Sequence, residues 1–457
     1  MTAAPFLVLM TLLQQMPSSQ GSATVEELPS EDPNSTGGSA FTFRLALEAG
    51  PLSLPSGTPG GGQDIFAQGL PVARMTRGES FSLELGAPLR FRLLDAEPKQ
   101  QAEDFGGYLR LQDWDTQSDY GQVLRELRIG RENQTVAWFS AGPLLAFTLG
   151  EGHLVERYDN QLSPNYHPAG AQLTVNVKQI ARIQVAASDV LAMRLFGGEL
   201  RLDIGRIVSQ QEKHFDRYHA IAAFAHDFGR VELEEESTAP ISAALLGGDA
   251  ALYKSETGNL QLFAIGGAGS RVDEGTPDIG GFAGFSIRGN TGRVDISGRL
   301  EGRYQGGSFR FGLFGPSYEL SRFSATGLSE PPISEERMDK NLAGFAELKL
   351  GVGNEDDTEA LYASASTAGE HFTIGRTDTD FTLALRFPGA RTLATARVIV
   401  VGIGTHPRYS VHAELRQRVL NWLYLWGAGG TVHFPQPDGS LVKGYTVGAG
   451  AGVDFAR

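Results

Sequence analysis

The chain has 457 residues, no cysteine, and a net charge of −14 from 53 acidic and 39 basic side chains. The acidic balance argues against nucleic acid as a partner, because binding phosphate takes a basic face. The missing cysteines exclude disulfides, thiolate catalysis, Cys-ligated metals and a lipid-modified N-terminal cysteine.

Beyond the N-terminus there is no run of ~18 apolar residues, so no transmembrane helix is expected. Glycine is abundant at 58 residues, and phenylalanine stands at 26. Glycine is depleted from ordinary strands. A curved, closed sheet with small lumen residues gives it a use, and a closed barrel is the other structure that can span lipid.

In chain order, residues 1–23 read as a signal peptide. Pro5 to Leu13 form a short apolar core and Gly21-Ser-Ala23 a small-residue cleavage site, although Met1-Thr-Ala-Ala lacks the usual basic residue. Residues 24–38 are acidic and rich in turn formers, which predicts a disordered linker. The span 39–457 is then read as one barrel domain.

Alternation starts with Phe41, Phe43, Leu45 and Leu47 against Thr42, Arg44, Ala46 and Glu48. Residues 50–62 read as a Gly/Pro/Ser loop. Alternation resumes at Phe81 and continues past Pro88, with a bulge or bend expected near 86–88. In the middle, Val294, Ile296, Gly298, Leu300, Gly302 and Tyr304 oppose Arg293, Asp295, Ser297, Arg299, Glu301 and Arg303. One face needs water and the other lipid or a core. On this basis Leu300→Arg should block assembly and Arg299→Ala should be tolerated.

Val411, Ala413 and Leu415 repeat the pattern against His412, Glu414 and Arg416. Trp422, Tyr424 and Trp426 open a further strand, and Asp438-Gly439 marks the turn into the last one. That last strand sets Tyr445, Val447, Ala449, Ala451, Val453 and Phe455 against small or polar residues. From Tyr445 to Phe455 a tilted strand covers ~25 Å, the height of a barrel's apolar band between its aromatic girdles. Trp422, Tyr424, Tyr445 and Phe455 are therefore the candidate girdle aromatics.

The cadence predicts an all-β, single antiparallel up-and-down transmembrane β-barrel of about 16 strands (roughly 14–18). Residues 328–341 and 353–358 are expected in outward-facing loops, and 435–444 at the rim opposite the C-terminus. A soluble sandwich also alternates and stays open as a rival.

The export segment, the alternating strands and the terminal aromatic Phe455 resemble a Gram-negative outer-membrane β-barrel, though Ala456 and Arg457 follow the aromatic. The resemblance is architectural and covers the mature chain. It implies residence in the outer membrane among its lipids, and assembly by the barrel-assembly machinery reading the C-terminal strand. The resemblance names a class and not a function; the role expected for such a barrel is a porin-like passive channel for small solutes. A plugged barrel with a structural, adhesive or lipid-handling role is the alternative, and an outer-membrane hydrolase a third.

Candidate lumen residues are Arg293, Asp295, Arg299, Glu301, Arg303, His412, Glu414 and Arg416, because rings of charge set ion preference. Glu151, His153 and Arg157 crowd a short polar span that is either a selectivity element or a plug held by its own ion pairs. His214, Asp216, His219, His226 and Asp227 lack zinc-site spacing, and His219 and His226 should face opposite sides. The 113–119 and 354–359 acidic runs read as solvated loops rather than calcium sites. No G-x-S-x-G motif occurs. The sequence therefore gives no positive evidence for an enzyme, and it implies no cofactor or metal.

Overall fold

In the computed structural model, described for residues 41–57, 60–96, 109–131, 135–209, 211–229, 238–255, 257, 259–273, 278–324, 331–353, 361–388, 391–436 and 441–456, the chain forms one closed antiparallel sheet. The expected signal peptide, the 24–38 linker and the 354–359 acidic run lie outside these residues.

Apart from the third and fourth segments, each strand pairs with its sequence neighbours, and β21 (Leu441–Ala456) returns to β1 (Thr42–Pro55) from Arg44↔Ala456 to Ser53↔Val447. This seam removes the sheet edges. At the seam Gly50 lies so close to the Ala449 carbonyl that a methyl group there would collide with it. The β1–β21 ladder skips Gly50 and Pro51 without shifting register, which is where the missing proline N–H costs no bond. The expected 50–62 loop is accordingly shorter: β1 runs on through Pro55.

Among the described residues the sheet has twenty-one strand segments. Two of them, β3 (Phe81–Gly86) and β4 (Leu89–Leu94), both pair with β2 (Gln63–Arg77), so they are halves of one stave broken at Ala87-Pro88, as the proline predicts. The wall therefore has twenty staves rather than about sixteen. The surplus comes from short or weakly patterned strands. One is β5 (Leu124–Ile129), another β6 (Ala137–Gly142). A further pair, β7 (Gly170–Val177) and β8 (Ala181–Ala187), is joined by a turn in which Lys178 and Gln179 take φ of 49° and 59°. That tight hairpin geometry normally announces itself by Asn-Gly or Asp-Gly, and here it does not.

The outside is apolar. Phe43, Leu45, Leu47, Leu300, Tyr304, Val447 and Phe455 are all exposed, while Arg44, Glu48, Arg299, Glu301, Arg303 and Asp454 between them point inward. A closed sheet with water-seeking groups inside and a large apolar exterior is a membrane barrel; a sandwich would bury the apolar face. The rims differ. The rim where β1 begins carries short turns such as 78–80, 178–180, 291–293 and 421–422. The long connections between β4 and β5, β6 and β7, and β14 (Val294–Gly307) and β15 (Met338–Val352) start and end at the opposite, far rim.

Two expectations about ends change. Gly353 closes β15 (Met338–Val352) at the short-turn rim, so 353–358 begins there and not among the long loops. Residues 331–336 fold inward, with Ile333 and Glu336 buried. The hairpin between β20 (Leu423–Pro435) and β21 lies at the far rim, as expected.

Candidate functional site

The interior is divided by two segments that leave the far rim and descend into the barrel. One is 143–169, between β6 and β7; the other comprises the described residues 308–324 and 331–337 between β14 and β15. They hold each other by backbone bonds: Gly312 N–H donates to His153 O (2.9 Å), Phe314 N–H to Leu154 O (3.1 Å), and Glu156 N–H to Phe314 O (3.1 Å). Leu149, Leu154, Val155, Phe309, Phe311, Phe314 and Tyr318 bury a common apolar core against wall residues Ile221, Leu245 and Phe282. This apolar core lies inside the barrel, where the sequence reading foresees at most a plug held by ion pairs.

Around that core runs an ionic lattice. His153 hydrogen-bonds Glu301 through Nε2 (3.0 Å) and stacks on Phe282 with ring centroids 4.0 Å apart. Arg157 takes positive φ (49°) and reaches Asp380 (2.9 Å), Glu347 (3.0 Å) and Glu156 (3.1 Å). Arg299 pairs with Glu156 and, at 3.2 Å, with Glu347, and Arg303 pairs with Glu301 (2.7 Å) and Glu370 (3.2 Å). The span holding Glu151, His153 and Arg157 is therefore a lumen plug tied to the wall by ion pairs. Arg299 is no free lumen charge: removing it would strand buried carboxylates, so its expected tolerance to alanine is withdrawn.

Burial lowers the affinity of His153 and His167 for a proton, partly offset by Glu301 and Asp113 respectively, so both sit below the ordinary histidine value of 6.5. Asp113 and Asp119 are fully buried. Asp113 pairs with Arg90 (2.7 Å) and Arg110, while Asp119 accepts from Thr116 N–H (2.9 Å) and Oγ1 (2.7 Å). In this run Asp113 and Asp119 are therefore buried in a folded turn and not solvated, while Asp115 stays exposed. Among the described residues no group of three or more His, Asp or Glu side chains is arranged to hold a metal ion. His219, bonded to Asp249 (2.6 Å) and Asp216 (3.2 Å), faces inward. His226 faces outward between Phe224 and Phe228.

Opposite the plug the lumen stays open. A cavity of ≈ 1160 Å³ extends from Asn290, Asp295 and Gly351 near the short-turn rim to Leu54, Thr431 and Thr446 near the far rim. His412, Glu414 and Arg416 of β19 (Arg408–Leu420) line it, as the alternation predicts, and so do Asp295, Glu151, Arg157 and Arg299. Glu301 and Arg303 lie instead within the packed region. Arg293 falls in the 291–293 turn, exposed, because the hairpin reverses one residue before β14 begins; it is not part of the wall.

The cavity lining includes nine arginines and Lys349 against five carboxylates. Arg125, Arg182, Arg201, Arg288 and Arg397 escaped the sequence reading. Arg182 and Gln184 on one face of β8 were the kind of signal available, but the flanking strand was not recognised.

Of the girdle candidates, Tyr445 and Phe455 face outward at opposite ends of β21, and Trp422 is exposed in the 421–422 turn. Tyr445 hydrogen-bonds Tyr409 (3.0 Å), and Lys443 caps the Tyr409 ring at 3.7 Å. Tyr424 is a correction. It is 1 % exposed, points inward, and donates to Glu48 (2.7 Å), because the strand starts after Trp422 and alternation puts residue 424 on the lumen face.

No family model matches the chain, and no curated protein matches it. Among solved structures the chain is similar to OccK11 (OpdR) of Pseudomonas aeruginosa, at 11% identity and TM-score 0.32, covering 91% of this chain and 96% of that one. It is similar to a mutant of the ferric enterobactin receptor PfeA of the same organism, at 10% identity and TM-score 0.36, covering 92% and 81%. A BenF-like porin from Pseudomonas fluorescens Pf-5 matches at 9% identity and TM-score 0.32, covering 91% and 98%. Scores this low carry no argument about function. What the molecule itself provides is an apolar exterior, closed staves and unequal rims, the architecture of an outer-membrane β-barrel.

Proposed function

We propose that this chain is a porin-like conduit through which small solutes diffuse, with a preference for anions. The observation that carries the reading is a charge inversion. The whole chain has a net charge of −14, yet its lumen cavity is lined by nine arginines and a lysine against five carboxylates. Low-dielectric walls focus such a field, raising the local concentration of the opposite charge. His412 and Glu414 border the open wall, with Arg416 paired to Glu48 and Glu414 behind them, while His153, Arg157, Arg299, Glu301 and Arg303 brace the segment that narrows the passage. In this reading the long loops face outward from the cell and lipid surrounds the apolar belt. The strand ending near Phe455 is what the assembly machinery engages.

The test is the reversal potential of the refolded chain in a planar bilayer under a potassium chloride gradient. Discrete steps with chloride favoured over potassium are expected. Potassium preference overturns the anion assignment. A second reading, a closed barrel with a structural role, is favoured by the loop core buried in the lumen. Folded, inserted protein that passes no current would select it.

A further inference from the structure

Two carboxylates of the inward segment occupy the cationic lining: Asp159, paired with Arg397, and Glu151, which meets two wall arginines at once. Glu151 sits at the tip of the inward segment, between Gly150 and Gly152, whose φ values of 57° and 79° make the sharp turn that projects it. Arg288 of β13 (Ile279–Asn290) reaches both its carboxylate oxygens, at 2.8 and 2.6 Å. Arg201 of β9 (Leu195–Asp203) bonds the same side chain, and Arg299 Nη1 donates to the Glu151 carbonyl at 2.5 Å. Glu199 accepts from Glu151 N–H (3.2 Å), and Gln184 accepts from Gly150 N–H (2.9 Å), which fixes the turn.

All of Glu151, Arg201, Arg288 and Arg299 line the open cavity, and the Arg288 side chain is 40% exposed to it. This differs from Glu156, which lies buried in the packed lattice and does not line the cavity. Burial opposes the charge on Glu151, but Arg288 and Arg201 outweigh it and hold this carboxyl well below the usual range, so it is an anion at neutral pH.

We infer that Glu151 is a tethered stand-in for a ligand: Arg201 and Arg288, with Arg299 behind them, form a subsite for small carboxylates, and the loop glutamate keeps it filled until a passing carboxylate competes. The guanidinium fork matches a carboxylate in plane and spacing, whichever molecule bears it. A tethered competitor weakens binding of a free solute, which suits a conduit that must release what it admits. The inference rests on the anion-conduit reading above, since it needs the cavity to be a passage.

The experiment is acetate block of chloride current through single channels of the full chain, comparing wild type with Glu151→Gln and Glu151→Asp. Reversal potentials without acetate are recorded for each. Glu151→Gln keeps the side chain's size but removes the competing charge, so block should tighten by roughly tenfold, with Glu151→Asp in between. Adding Arg288→Gln to Glu151→Gln should erase the gain. If both single variants conduct with chloride preference and acetate blocks them no better than wild type, the inference is overturned while the conduit stands. If wild type itself prefers potassium, the conduit reading fails and the inference with it. If neither single variant inserts, Glu151 is a structural strut and the inference falls.

Discussion

The two halves of the lumen share a wall of the same design and differ in what faces it. Towards the far-rim end of β14, Glu301 and Arg303 are buried and locked to one another and to the descending loops, whereas Asp295, Arg299 and Glu347 nearer the other rim still border the cavity. Along β19 to β21 the inward side chains His412, Glu414 and Thr446 border a cavity. Alternation is equally strict in both halves. The lesson is that alternation fixes which way a side chain points, whereas the loops decide whether it serves as a strut or as part of a passage.

The contrast can be broken most severely at Arg299. Arg299→Ala removes the guanidinium paired with all three of Glu156, Glu301 and Glu347, leaving Arg157 and Arg303 to hold them. Breaking such a buried group costs about 3–5 kcal/mol, read as a lowered urea midpoint of the detergent-folded barrel. On the outer face of the same strand, Leu300→Arg puts a charge into lipid at a cost of about 2–4 kcal/mol near the midplane. Loss of the folded, heat-modifiable band on an unheated gel would register it. Normal assembly would show that the face assignment is wrong.

In the open half a change at the cavity surface should cost less stability. Glu414→Gln removes one of the two carboxylates paired with buried Arg416 but leaves Glu48 in place, so it is expected to cost about 1 kcal/mol, well below the Arg299→Ala loss. Removing a carboxylate from a lining already in cationic excess should shift the reversal potential further towards chloride. A large stability loss with no change in selectivity would erase the distinction between the halves.

The smallest effect concerns acid. His153 and His167 on the descending loop sit below their ordinary value of 6.5 because they are buried, so the folded state resists a proton that the unfolded state accepts. Their contribution is therefore intact above pH 6.5 and is lost as pH falls towards the depressed folded values. The urea midpoint should decline between pH 7.5 and 5.5, and His153→Gln should reduce the decline. A flat profile would mean that these histidines are solvated.

Much of the outer surface was legible because lipid imposes a two-residue period: β1, β14, β19 and β21 could be read face by face from Phe43, Leu300, Val411 and Val447. Tyr424 shows the limit, since a strand start misplaced by one turn residue assigns an aromatic to the wrong medium. The strand number was less legible, because hairpins such as the one at Lys178-Gln179 turn without glycine or asparagine.

The candidate site was legible only in part. The 309–314 run, Phe-Arg-Phe-Gly-Leu-Phe, alternates like a strand, yet its aromatics pack inside the barrel. Neighbouring residues along a strand obey local geometry, so the sequence by itself determined the all-β class, the closed wall and the orientation of most side chains. Which charges meet across the lumen depends on residues far apart in the chain, such as Arg157 with Asp380 or Glu151 with Arg288. Only the tertiary structure decided that one half of the interior is packed and the other open, because only closing the barrel brings the loops and the opposite wall within reach of each other.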